Sequence, residues 1–138
     1  PAHLYVYFTY GMHWCTNVVC DEGGTGSAVL LRAAAPLVGL DAMRARRPKA
    51  RADRDLCAGP ARLSAALGLD GRQNAASLLH GPVKILASGS PITGEVGTSA
   101  RIGITRGTEH LWRYYLKGDA HLSRRDPRPQ RGGAGASR

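Results

Sequence analysis

Three cysteines, Cys15, Cys20 and Cys57, and five histidines are the residues from which a metal centre or a nucleophile could be built in this sequence. A zinc site drawn from Cys15, Cys20, Cys57 and His13 would need paired ligand spacing and tetrahedral approach, whereas Cys15 and Cys20 lie in or beside one strand-like stretch. Buried thiols are the simpler reading. Nothing local brings Cys15 to a histidine as a catalytic pair, and His13 beside Trp14 reads as a structural or surface histidine. No Walker loop, GxGxxG, HExxH or GxSxG motif is present. A different chemistry is open to Tyr10-Gly11-Met12. A flat ring beside a residue that lets the backbone turn sharply can project from a hairpin, and a projecting ring or apolar wedge can enter a base stack and hold the gap open. The competing reading is a core tyrosine before a bulge glycine.

The elements that must position these residues follow from hydrophobic patterning. Residues 4–20 are rich in aromatic and β-branched side chains and broken at Gly11, as two strands joined by a tight bend would be. Leu4, Val6, Phe8 and Tyr10 share one parity and Tyr5, Tyr7 and Thr9 the other, so the first strand has an apolar side and a tyrosine side, both partly covered. Residues 27–34 read as a third strand closed by Pro36. Leu40 and Met43 suggest a short helix over 39–47, followed by a basic flank of Arg44, Arg46, Arg47, Lys49, Arg51 and Arg54 that could track phosphates or simply be solvated. In 59–69, a Pro near the start and Leu63, Ala66 and Leu67 at i, i+3 and i+4 predict an amphipathic helix of about three turns, with Gly68 weakening its end. Short strands are expected at 83–87, 101–105 and 114–117, and a disordered Arg-rich tail from Arg124 to Arg138. Together these predict a single α+β domain over residues 1–123, built on a curved antiparallel sheet with a protruding hairpin and peripheral helices.

Length and charge set the outer limits. The 138 residues suit one domain, and 43% hydrophobic content allows a modest core. Nineteen basic against ten acidic residues give +9, of which the segment from Arg124 carries +4 and the body +5. A basic body favours a polyanionic partner, but 16 of the 19 basic residues are Arg amid abundant Ala and Gly, as the codon bias of a GC-rich bacterium would give. An odd number of cysteines without a signal peptide points to a reducing interior. No apolar run approaches the ~18 residues of a membrane span, so a soluble protein with no membrane partner is expected.

The residues also carry a resemblance. The block Tyr5-Val6-Tyr7-Phe8-Thr9-Tyr10-Gly11-Met12-His13-Trp14-Cys15-Thr16-Asn17-Val18-Val19, followed by Ala28-Val29-Leu30-Leu31-Arg32-Ala33, resembles the alkyladenine (3-methyladenine) DNA glycosylases. Leu56-Cys57-Ala58-Gly59-Pro60-Ala61-Arg62-Leu63 is similar to that family's LCxGPxKL segment. Arg101-Ile102-Gly103-Ile104 and Trp112-Arg113-Tyr114-Tyr115-Leu116-Lys117-Gly118 are similar to its last strands. The resemblance runs from about Leu4 to Ser123 and is looser between Asp70 and Ala100. It implies base-excision repair, in which a damaged purine is flipped out of double-stranded DNA and its N-glycosidic bond is hydrolysed. It also implies a monomer, no metal or organic cofactor, and a cytoplasmic, nucleoid-associated bacterial protein. By the same resemblance, Tyr10 fills the space left by the flipped nucleotide with Met12 beside it, and Tyr7 packs on the flipped base. Asn17 disfavours the exocyclic amine of guanine, and Arg32 lies near the flipped nucleotide and the attacking water.

The family's general-base Glu belongs to an ETEAY-like segment expected upstream of Pro1, together with another pocket Tyr and His. No catalytic residue is therefore assigned within this sequence. The abrupt start reads as a piece of something longer, with apolar surface exposed where a further segment would complete the sheet. Asp21 and Glu22 read as exposed turn residues. The alternative is a nonenzymatic nucleic-acid-binding remnant of the same fold. A protein-interaction domain that is basic only through codon bias is a third reading, and it predicts negligible, salt-independent DNA binding.

Overall fold

The computed structural model describes residues 1–24 and 26–122. The tail expected from Arg124 lies outside the described residues. The architecture is α+β, with two antiparallel sheets and two α-helices among the described residues. Two compact units divide it, the first comprising Pro1–Pro91 with residues 120–122, the second Ile92–Asp119.

In the first unit, β1 (Leu4–Thr9) and β2 (His13–Val19) form the expected hairpin, and β3 (Ala28–Leu30) adds to β2, giving the order β1-β2-β3. The register places Tyr5 opposite Asn17, Tyr7 opposite Cys15 and Phe8 opposite Trp14. The third strand is shorter than residues 27–34. Leu31 still donates to the Thr16 carbonyl, but Ala33 leaves the ladder to bridge Ala58. β1 is an edge strand whose first half is covered from far along the chain. Leu4 N–H donates to the Ala76 carbonyl, Ala75 N–H to the Leu4 carbonyl, and Val6 N–H to the side chain of Asn74.

The apolar side of β1 supplies one core, in which Leu4, Val6 and Leu78 are buried with Trp14, Val18 and Val83 packed around them. Phe8 and Tyr5 each remain about half exposed, so the cover is partial on both sides of the strand.

Helix α1 (Leu40–Arg46) and helix α2 (Pro60–Leu67) occupy the two helical segments. Pro60 supplies a preset φ where its missing N–H costs nothing. Gly68 ends α2 in the left-handed region at φ 70°, with Gly68 N–H on Ala65 O and Leu69 N–H on Ser64 O, a Schellman closure with Leu69 buried. The buried stripe of α2 is not the expected one. Leu63 and Ala66 are inside with Met43, Leu56 and Cys57, but Leu67 faces solvent and Ser64 takes its place. The reason is polar: Ser64 Oγ and Thr16 Oγ1, both fully buried, satisfy each other at 2.9 Å.

Two residues of the basic flank of α1, Arg44 and Arg46, are committed to structure. Arg44 bridges Asp41 and Asp53, and Arg46 Nη1 donates to the Ala66 carbonyl at the end of α2. Lys49, Arg51 and Arg54 are exposed.

The second unit holds β4 (Val96–Ser99) paired antiparallel with β5 (Arg113–Leu116), a separate two-stranded sheet. β5 matches the strand expected at 114–117. Residues 83–87 and 101–105 do not form strands, because neither finds a partner ladder among the described residues. β4 was not anticipated: Gly97 and Ser99 give it no apolar stripe.

Candidate nucleic-acid interface

The link between β1 and β2 is a four-residue turn, Thr9 to Met12, closed by Met12 N–H on the Thr9 carbonyl at 3.2 Å. Both central residues have positive φ, Tyr10 at 52° and Gly11 at 65°. This is the primed geometry that matches strand twist, and its first central position ordinarily favours Asn, Asp or Gly. A tyrosine held in the left-handed region costs roughly 1–2 kcal/mol. Its ring does not recover that cost by burial, since Tyr10 is 81% exposed and Met12 67%. The competing reading of a core tyrosine before a bulge glycine is therefore excluded: the ring stands at the tip of a tight turn.

Behind the tip, cross-strand pairing gathers the tyrosine side of the sheet. The Tyr7 and Tyr5 rings stack at 5.5 Å between centroids with planes 21° apart. Tyr7 sits opposite Cys15, and the two side chains act on each other electrostatically. Burial first, then Cys15, raises the Tyr7 hydroxyl above its ordinary value, so it stays protonated. Cys15 is buried, and desolvation raises its thiol, while the Tyr7 hydroxyl and the charge of Arg32 pull it partly back. Arg32, two residues past the end of β3, is thereby within electrostatic reach of the Tyr7–Cys15 pair. Asn17, two residues beyond Cys15 on the same side of β2, is also buried. Its Nδ2 donates to the Tyr5 carbonyl at 3.1 Å, which fixes the amide in place.

The structure thus brings Tyr7, Asn17 and Arg32 to one side of the three-stranded sheet and puts Tyr10 and Met12 at its protruding end. Cys15 belongs with them and was missed as a site residue. Three residues, Tyr10 to Met12, separate the paired Thr9 and His13, and that count sets Tyr7 opposite Cys15, so the register was the available signal.

Among the described residues, no group of His, Cys, Asp or Glu side chains could hold a metal ion, and the three cysteines are free. Cys15 and Cys57 are buried, whereas Cys20, expected to be buried as well, is exposed beside the turn after β2. Asp21 and Glu22 are exposed turn residues, with Asp21 accepting from the Glu22 N–H. Among the described residues, no carboxylate figures among the groups that act on Tyr7 or Cys15. No helix among them is long and apolar enough to cross a membrane.

A family model described as methylpurine-DNA glycosylase matches residues 1–120. The chain belongs to the methylpurine-DNA glycosylase family. A Burkholderia lata relative named "Putative 3-methyladenine DNA glycosylase" is 50% identical over 125 residues, covering 89% of this chain and 60% of the relative. Proteins of the same name from Chlorobaculum parvum and Rhodopseudomonas palustris are 47% and 45% identical over 124 residues, each match covering 89% of this chain and 58% and 60% of the relative. The chain spans about three-fifths of the length of these curated glycosylase relatives.

Proposed function

We propose that this chain supplies the DNA-opening hairpin and one wall of the base pocket of a glycosylase acting on alkylated or deaminated purines in double-stranded DNA. The observation that carries the reading is Tyr10, held in left-handed backbone at a tight turn with its ring in solvent. Local strain of this kind persists where it serves a function, and an exposed ring on a rigid hairpin can occupy the gap left by an extruded nucleotide. Extrusion costs a few kcal/mol of unstacking, which ring insertion outside and aromatic contact inside offset.

Behind the wedge, Tyr7 offers its ring to the flipped base, with Tyr5 stacked on it and Cys15 opposite it on β2. Asn17, locked by its bond to Tyr5, rejects a base edge that carries a mismatched exocyclic group. Arg32 provides a fixed cation for a phosphate or developing negative charge. Met12 packs beside the wedge.

Hydrolysis itself requires water to attack C1′ as the bond to the purine breaks, with a general base to take the proton from the water. Among the described residues no carboxylate figures among the groups that act on Tyr7 or Cys15, so this reading takes the general base from elsewhere than the tyrosine side of the sheet. This same observation supports a second reading, a lesion-binding protein without hydrolysis.

One pair of measurements on the 138-residue chain tests both. Binding to duplex DNA with a single damaged purine should exceed binding to undamaged duplex. Tyr10→Ala should weaken that preference about 5- to 100-fold, the worth of one lost stacking contact. Unchanged preference would remove the wedge. Brisk release of the damaged base would show that the general base lies within these residues, and would exclude the nonhydrolytic reading.

A further inference from the structure

The aromatic side chains of the second unit have no part in that reading. In the β4–β5 sheet, Arg113 and Tyr115 share one face and Tyr114 and Leu116 the other, with Trp112 immediately before β5. The first face is closed. The Arg113 guanidinium lies 4.4 Å from the Tyr115 ring centroid and donates to Ser99 Oγ at 3.0 Å. The Tyr115 ring lies across Gly97, where a Cβ would come within 2.7 Å of a ring atom. The second face is open, with Trp112 58% and Tyr114 68% exposed.

Trp112 is nevertheless held in place. The His110 ring stacks on it at 4.0 Å with planes 7° apart, and the Arg101 guanidinium stands 5.3 Å from its centroid. Arg101 Nη2 and His110 Cδ2 both crowd the point where a Gly107 Cβ would sit, at 2.8 and 3.6 Å. Imidazole and guanidinium therefore both meet near Gly107 against the indole, and more than half of the Trp112 surface stays in solvent.

We propose that this open face is a stacking platform for the unpaired bases of a DNA strand. Tyr114 on β5 and Trp112 just before it are two residues apart, about 7 Å of extended chain, and exposed aromatic rings so spaced are suited to successive bases of a single strand. The half of the stack already made by His110 and Trp112 extends directly into a further flat ring. Arg101 beside the ring complements the strand's phosphates and gives the site a charge that an apolar peptide would not need. The choice of DNA over RNA rests on the proposed function.

The test uses the complete chain and a fluorescent single-stranded oligothymidylate at low salt, read by anisotropy. Trp112→Ala and, separately, Tyr114→Ala should each weaken binding about 5- to 100-fold, since one base–aromatic stack is worth ~1–3 kcal/mol, and Trp112→Phe should restore most of the loss. Absence of oligothymidylate binding by the parent chain, or binding by both alanine variants as tight as the parent's, overturns the platform. So does a change in oligomeric state of Trp112→Ala with oligonucleotide binding intact, which would make the face a contact between copies. The damaged-duplex preference of Tyr10→Ala, measured alongside, reads the hairpin separately. A wedge that fails while Trp112→Ala still lowers single-strand binding sinks the proposed function and keeps the platform; the opposite pattern does the reverse.

Discussion

The two sheets expose aromatic side chains by different means. In the three-stranded sheet the most exposed ring is Tyr10, put into solvent by left-handed backbone at a turn, while the strands behind it bury Leu4 and Val6 on one side and hold Tyr7 beside Cys15 on the other. In the two-stranded sheet no strand residue has positive φ. Trp112 and Tyr114 are exposed because one face is sealed by Arg113 over Tyr115 and nothing among the described residues of that unit covers the other. The first arrangement is local and strained, and it suits a single insertion. The second is an unstrained surface and suits repeated, sequence-tolerant contact.

The largest way to break the contrast is to remove the packing behind the hairpin. Leu4→Ala should cost about 2–5 kcal/mol in chemical denaturation. A loss below 1 kcal/mol would mean that the apolar side of β1 does not anchor the turn. In the second sheet, Gly97→Ala should drive a methyl into the Tyr115 ring and cost about 1–3 kcal/mol; an unaffected variant would show that the ring is not held there. Thr16→Val leaves the Ser64 hydroxyl buried without a partner and should cost about 1–3 kcal/mol, much of it recovered in the double variant with Ser64→Ala.

Tyr10→Asn has the opposite sign. It restores the residue pair that this turn favours and should stabilise the chain by about 1 kcal/mol while removing the wedge. A destabilised variant would show that Tyr10 packs against something. The smallest effect concerns Asp53, whose carboxyl is held below its ordinary 3.8 by the Arg44 hydrogen bond. A depressed carboxyl stabilises the folded state above its unfolded pKa and loses that contribution as pH falls through the folded value. Asp53→Asn should therefore differ slightly from the parent above about pH 4 and converge with it in stronger acid, with a small difference because the pair is exposed.

How much of this could be read in the sequence depends on where the information lies. The hairpin, α1 and α2 follow from alternation, helical spacing, Pro60 and Gly68, all local signals. Tyr10 and Met12 at the tip were equally legible, because a glycine between them at a short connection announces them. What failed depends on partners. Residues 83–87 carry the composition of a strand, but composition does not report that no ladder is available. β4 escaped because its Gly97 is explained only by a ring sixteen or more residues away in the chain. Ser64 displaced Leu67 from the interior because of a hydroxyl on another strand. The grouping of Tyr7, Asn17 and Arg32 came from the family resemblance, whereas the place of Cys15 beside Tyr7 needed the register.

The cover on the β1 edge has a kinetic consequence. Val6 is bonded to Asn74 across 68 residues, whereas β1 and β2 are joined by the short link Tyr10-Gly11-Met12. Short-range contacts close quickly, and long loops must be ordered before their contacts are gained. The hairpin therefore forms with its outer edge bare, and that edge stays able to pair with another chain until residues 74–77 arrive. Substitutions at Asn74 or Ala76 should be felt first as aggregation during refolding, ahead of any loss in the folded protein's stability.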